Sequence, residues 1–249
     1  MLYLMFIIGV IFGSFYGVVG TRLPEGKSIV KPGSHCENCG HILKWYENIP
    51  ILSYIFLGGL CKKCKKPIGF VYFMTELLSG ALFALCYKVY GINYNLYLSL
   101  IISSLVIIIF VSDSKYMIIN DSPLVISSIL VFIIKFICSG YKVALMSIFD
   151  GLIIFLVAYL LMLFGKMLFK QEALGGGDIK LSFVAGMFLG IKFGILYIVL
   201  ASFLAFPYAI YITIKNKDNM LPFGPFLVSS LLIVFLNMNM FNEMLKMLF

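Results

Sequence analysis

Charge is what this sequence has least of. Asp, Glu, Lys and Arg make up 12% of its 249 residues, about half the roughly 25% of a soluble domain. So few charges cannot cover a globule in water, which excludes an ordinary soluble fold. Histidine is nearly absent, with only His35 and His41, and neither lies in an apolar run. There is no His-Glu-x-x-His helix and no Gly-x-Ser-x-Gly elbow, so zincin and serine-hydrolase chemistry lack their residues. Tryptophan occurs once, at Trp45, which leaves tyrosine as the main interfacial aromatic. No basic residue precedes Arg22. The first apolar run therefore lacks the basic start of a signal peptide and is read as a retained span, with Gly13, Ser14 and Gly17 as small packing residues. Long repeats and low-complexity tails are also missing.

Apolar residues fill the space left by charge, at 62% of the chain with a mean hydropathy of +1.05. A membrane helix needs about 20 mainly apolar residues. Eight stretches qualify: 1–20, 69–90, 95–112, 122–138, 143–165, 179–191, 193–214 and 226–246. The sixth is short and is opened by glycines. The expected fold is all-α and polytopic, with about eight transmembrane helices. Three parts follow: a first helix at 1–20, an extramembrane insert at 21–68, and a seven-helix membrane domain at 69–249. With the N-terminus outside, 14 of the 19 basic residues fall in cytoplasmic segments, Lys170 and Lys217 among them, as the positive-inside rule requires. The net charge of +8 then faces the anionic headgroups of the lipid bilayer, and no nucleic acid is called for.

Within the insert, Cys36-Glu-Asn-Cys39 and Cys61-Lys-Lys-Cys64 form two Cys-x-x-Cys knuckles. Structural zinc takes four thiolates at such spacings. Two disulfides or a redox-active pair would use the same residues. Zinc is favoured, because disulfides are rare in a reducing cytosol and two symmetric copies argue against a redox pair. A closed four-cysteine site folds a small zinc-ribbon-like domain and leaves no position open for substrate. Cys86 and Cys138 read as buried small hydrophobes, His35 and His41 as surface residues.

Acidic residues at membrane depth are costly and default to functional hypotheses. Four qualify: Glu76, Asp113, Asp150 and Asp178. Asp113 closes the third apolar span. Asp178 follows Gly175, Gly176 and Gly177 and opens a helix. The topology puts both at the cytoplasmic face on different helices. Two carboxyls brought together share a proton, so one can activate water while the other polarises a carbonyl. Asp150 lies toward the other side, where a packing role is expected. Asp121 reads as a helix N-cap, with Pro123 close behind.

These residues resemble a known family. Gly175-Gly-Gly-Asp178 fits the Gly-x-Gly-Asp motif of membrane aspartic peptidases, and the run through Gly186 and Gly190 is similar to its type IV prepilin peptidase version. The likeness extends over nearly the whole chain. It includes Phe12-Gly-Ser-Phe, Arg22-Leu-Pro24, the four knuckle cysteines, Trp45, Asn48-Ile-Pro50, Glu76, Asp113 to Asp121, and Pro222-Phe-Gly-Pro-Phe226. The order and spacing of these motifs are specific.

The resemblance implies an aspartic endopeptidase in the bacterial cytoplasmic (inner) membrane. It would remove the basic leader of prepilins or pseudopilins after a glycine, with Asp113 and Asp178 catalytic. Gly175, Gly176 and Gly177 would admit the substrate backbone. Lys180 would balance Asp178 or reach to the surface, and Glu76 would bind the leader or hold the zinc domain. Many such enzymes also methylate the new N-terminus with S-adenosylmethionine. Val71 and Phe73 stand where Arg and Pro are common before Glu76, so the likeness carries peptidase activity further than methylation. Two other classes compete: a transporter, which also uses glycine-broken helices and intramembrane acids, and a non-catalytic membrane scaffold built around the zinc domain.

Overall fold

A computed structural model describes residues 1–169, 175–215 and 221–248; Lys170 and Lys217 lie outside them. The described residues are helical apart from isolated bridges. They form two compact units, Met1–Gly91 and Ile92–Phe249.

In the first unit, α1 (Leu2–Arg22) packs on α3 (Phe70–Tyr90). Every fourth residue of α1 on the contact face is glycine. A Cβ on Gly9 would stand 2.6 Å from the Ser79 carbonyl, and one on Gly13 would stand 2.8 Å from Glu76 Cα. Small residues at this spacing let two backbones touch, and in lipid that contact replaces the hydrophobic drive. Between these helices lie the 3-10 turn Trp45–Glu47, the short α2 (Leu52–Phe56) and the cysteine knuckles.

The second unit holds α4 (Tyr94–Tyr116), α5 (Asp121–Ser139), α6 (Tyr141–Phe169), α7 (Gly176–Lys215), α8 (Gly224–Leu236) and α9 (Met238–Leu248). The α4 helix is the most buried span, with Leu98, Ile102, Leu105 and Ile109 inside. Its sequence is apolar all round, as a helix surrounded by protein allows. On α5 and α6 the outward Ile129, Ile133, Met146 and Phe149 are exposed, in keeping with contact with lipid.

Among the described residues six helices are long and apolar enough to cross a membrane, or seven if α8 and α9 form one bent span. The protein is a multi-pass membrane protein. The sequence led to a count of about eight, and the counts differ because α7 is two helices joined at a kink. Its 40 residues would reach about 60 Å at 1.5 Å each, twice a bilayer core. The helix does not run straight. Gly190 has φ 75° and ψ 175°, a backbone open to glycine alone at little cost. Ile154 lies against Gly186 before the break and Gly194 after it, so the chain turns back on itself there. The expected stretches 179–191 and 193–214 are thus the two helical arms that meet at Gly190. The break frees helix-terminal carbonyls, and Lys135 of α5 donates to one of them, Met187 O, at 2.6 Å. Cations favour this end of a helix dipole. Asp150 of α6 is the acidic partner felt by Lys135. The expected last span, 226–246, is also broken, by 80° between α8 and α9.

Candidate active site

The α4 helix ends where Met117 turns left-handed (φ 53°, ψ 37°) and its N–H returns to the Asp113 carbonyl at 2.9 Å. That stop leaves the Asp113 side chain at the helix terminus, 6% exposed. The Gly224 N–H donates to Asp113 Oδ2 at 2.9 Å. Gly224 begins α8 and Pro225 follows it, so this N–H is one of the donors a helix start leaves free. The carboxyl thereby sits at the positive end of α8. A Cβ on Gly224 would lie 2.8 Å from Asp113 Oδ2, so no larger residue fits that approach.

Asp178 is built differently. Its own N–H donates to the Gly175 carbonyl at 3.1 Å, and the Gly175 N–H donates back to Asp178 Oδ2 at 3.1 Å. This reciprocal turn opens α7 and holds the carboxyl at the N-terminus, 9% exposed. Ser182 Oγ donates to the Asp178 carbonyl at 2.9 Å. A Cβ on Gly176 would enter open space, whereas one on Gly177 would strike Ile119 Cβ at 2.8 Å. Ile119, from the loop between α4 and α5, also lies against Gly224. It joins the two glycine segments that hold the Asp113 and Asp178 carboxyls. Both carboxyls are buried, each sits at a helix N-terminus, and each accepts one glycine N–H.

Lys180 does not serve Asp178. Its Nζ reaches both Asp121 oxygens, at 2.7 and 2.8 Å, on an exposed pair. Asp121 is not the N-cap either: Asn120 holds that position and Asp121 follows as the first helical residue. A cavity of about 450 Å³ lies beside this pair, lined largely by apolar residues including Leu124, Val125, Leu152, Phe155 and Phe183.

Glu76 belongs to the first unit. It is 8% exposed, and its Oε2 accepts the Ile51 N–H at 2.7 Å. Ile51 has φ 61°, a strained value for a β-branched residue, and the carboxylate holds that backbone in place. Among the described residues Glu76 meets the insert through this amide rather than through a lysine.

The cysteine knuckles are near copies. Cys36 N–H donates to His41 O and Gly40 N–H to Cys36 O, while Cys61 N–H donates to Lys66 O and Lys65 N–H to Cys61 O. Gly40 and Lys65 occupy the same left-handed position (φ 66° and 57°). All four sulfurs lie within 4.8 Å of one another, with Cys36–Cys64 at 3.8 Å and Cys39–Cys61 at 3.9 Å. A tetrahedron with metal–sulfur bonds of about 2.3 Å has edges near 3.8 Å, so the cluster could hold a metal ion. Backbone N–H groups of Cys64 and Lys63, with neighbouring thiols, draw the Cys61 thiol down to about 6 against its burial, while, against the His41 backbone contact, desolvation and the other thiols raise Cys39 to about 11, so the thiolate forms most readily at Cys61. His35 and His41 stay outside the cluster. His41 Nε2 meets Glu47 Oε2 at 3.1 Å, and the Lys44 N–H, with His41, holds the Glu47 carboxyl below its usual range. Cys86 is buried as expected, but Cys138 is exposed on α5.

Two residues escaped the sequence reading. Gly224 lay within the Pro222-Phe-Gly-Pro-Phe226 run with no role attached. Ile119 is an apolar residue in an apolar chain and carries no local signal.

Comparison with known proteins places the chain. Residues 7–90 match the bacterial peptidase A24 N-terminal domain, and residues 100–210 match the type IV leader peptidase family. The chain is similar to the prepilin leader peptidase/N-methyltransferase of Bacillus subtilis, at 33% identity over 95% of this chain and 94% of that protein. The protein of the same name in Vibrio cholerae is 29% identical over 96% and 98%. The Myxococcus xanthus protein is 37% identical over 74% of this chain and 55% of its own length. No solved structure matches the chain. With this likeness running from one end to the other, the chain belongs to the type IV leader peptidase family.

Proposed function

We propose that this protein removes the basic leader from type IV prepilins or pseudopilins, cutting after a glycine, with Asp113 and Asp178 as its catalytic pair. The observation that supports this reading is that both carboxyls are buried, each at a helix N-terminus with a glycine N–H on one oxygen, and that Ile119 lies against both glycine segments. One carboxylate takes a proton from water as its oxygen attacks the scissile carbonyl carbon. The other, protonated, donates to the carbonyl oxygen. The tetrahedral intermediate then collapses, the C–N bond breaks, and the amine leaves with a proton returned by the pair.

The apolar cavity beside Asp121 and Lys180 suits the hydrophobic helix that follows a prepilin leader. The excess of basic residues in the segments that hold the cysteines and the acidic pair puts both on the cytoplasmic side of the inner membrane. Zinc fits Cys36, Cys39, Cys61 and Cys64, and when bound it would lock the two knuckles together without entering the reaction. S-adenosylmethionine is the methyl donor suggested by the relatives' second activity. The cavity formed by His41, Lys44, Tyr46, Glu47, Lys62 and Lys63 is about 150 Å³, below the roughly 300–1,000 Å³ of small-molecule sites. It does not fit that donor.

The test is cleavage of a purified prepilin in liposomes by wild type, Asp113→Asn and Asp178→Asn, each checked for folding. Asn keeps the shape but cannot share a proton. Cutting by wild type and neither variant is expected. Near-normal cutting by either folded variant overturns the assignment.

A further inference from the structure

The short α2 helix of the insert has two unlike faces. Tyr54 turns toward the start of α3, stacking on Phe73 with ring centroids 5.0 Å apart and meeting Phe70 at 6.4 Å. Leu52, Ile55 and Phe56 stand at i, i+3 and i+4, which is one face of a helix. All three are exposed, Phe56 at 83%. The 3-10 turn packs beside α2 and adds Trp45, 79% exposed and edge-on to Tyr46 at 5.6 Å. Large apolar side chains grouped in this way are costly in water, and such patches mark a partner.

The depth of α2 says which partner. The α3 helix has 21 residues, about 31 Å of helix, and a bilayer core of about 30 Å uses all of it. Its first turn therefore lies where headgroups meet acyl chains. Tyr54 holds α2 against that turn, and the Ile51 N–H, just before α2, is bound by Glu76, six residues into α3. A segment tied at that depth, with its outer face exposed, lies among lipid headgroups rather than in bulk water.

Charge agrees. From His41 to Ile68 the sequence has five lysines and one acid, Glu47, which is buried against His41. Lys62, Lys63, Lys65 and Lys66 are exposed on the second knuckle. Lys62 Nζ lies over the Tyr46 ring, 4.9 Å from its centroid, so the basic knuckle adjoins the Trp45–Tyr46 pair. Apolar side chains rimmed by lysines, with Trp and Tyr between them, make a surface that sinks into an anionic headgroup layer.

We propose that α2 and the Trp45 turn form an in-plane membrane anchor: Leu52, Ile55 and Phe56 enter the acyl boundary of an anionic phospholipid bilayer, and the knuckle lysines lie on its phosphates. Part of the 21–68 insert is then embedded in lipid rather than extramembrane. The anchor is independent of the peptidase assignment.

Trp45 is the chain's single tryptophan, so its fluorescence reads the anchor directly. Full-length wild type and Trp45→Phe/Phe56→Trp are placed in liposomes of phosphatidylcholine and phosphatidylglycerol, brominated either high on the acyl chains or near their ends. Phe56 is exposed, so the exchange disturbs no core, and wild type gives a second reading with α2 untouched. In both proteins the shallow bromines should quench about twice as strongly as the deep ones, and acrylamide in the water should quench little. Omitting phosphatidylglycerol, or introducing Lys62→Gln/Lys63→Gln/Lys65→Gln/Lys66→Gln, should weaken the shallow quenching about twofold. Free quenching by acrylamide with none by either brominated lipid overturns the anchor. Emission shielded from acrylamide and from both lipids also overturns it, and assigns the face to a protein contact. Shallow quenching that ignores both lipid charge and the lysine changes overturns the phosphate contacts.

Discussion

The amide of Gly224 donates to the Asp113 carboxyl at 2.9 Å across 111 positions of sequence. The contact explains why the start of α8 carries glycine before proline. The N–H must be free and the Cβ must be absent, and only an unencumbered first helical position provides both.

Gly224→Ala is the most direct probe of that contact. Its Cβ would fall 2.8 Å from Asp113 Oδ2 and 3.0 Å from Ile109 and Ile119, so the carboxyl or the helix must move. A displacement near 1 Å at a reacting group costs about a hundredfold in rate. Prepilin cleavage should drop by that order while the helical circular dichroism stays intact.

The glycine face of α1 makes a prediction about stability. Gly13→Leu forces apart α1 and α3, whose backbones touch at Thr75 and Glu76. Overpacking of this kind costs about 1–3 kcal/mol. Thermal unfolding in detergent should register the loss, whereas Ile11→Leu, on the exposed side of α1, should leave the transition where it was.

Lys135 caps a carbonyl freed by the break in α7 and faces Asp150. Lys135→Met removes the donor and strands an acid within the membrane. A loss on the order of 2 kcal/mol is expected. Lys135→Met/Asp150→Asn should recover part of it, since the stranded charge is gone. Equal stability of the single and double variants would show that the pair is not coupled.

Metal analysis decides the cysteine cluster. Purified protein should carry about one zinc ion per chain, and Cys61→Ser should lose it. A strong chelator should then expose the 21–68 insert to protease while the membrane helices stay protected. Thiols that remain unreactive to alkylation until a reductant is added would point to disulfides instead.

Much of this molecule was legible in its residues, for a physical reason. Transfer of an apolar run into lipid depends on composition and length, which are local, so the all-α membrane fold was readable before any contact was known. Knuckle geometry is local too, and the Cys-x-x-Cys pairs were readable as a cluster. The division between the stretches 179–191 and 193–214 marked where a helix would break, and the break falls at Gly190, inside the first of them. Partner choice was not readable. Tertiary packing alone decided that Lys180 turns to Asp121, that Gly224 reaches Asp113, and that Ile119 joins the two glycine segments. Each of these depends on where separate helices come to rest. That is set by close packing summed over the whole unit, and it leaves no signature in the residues on either side of the contact.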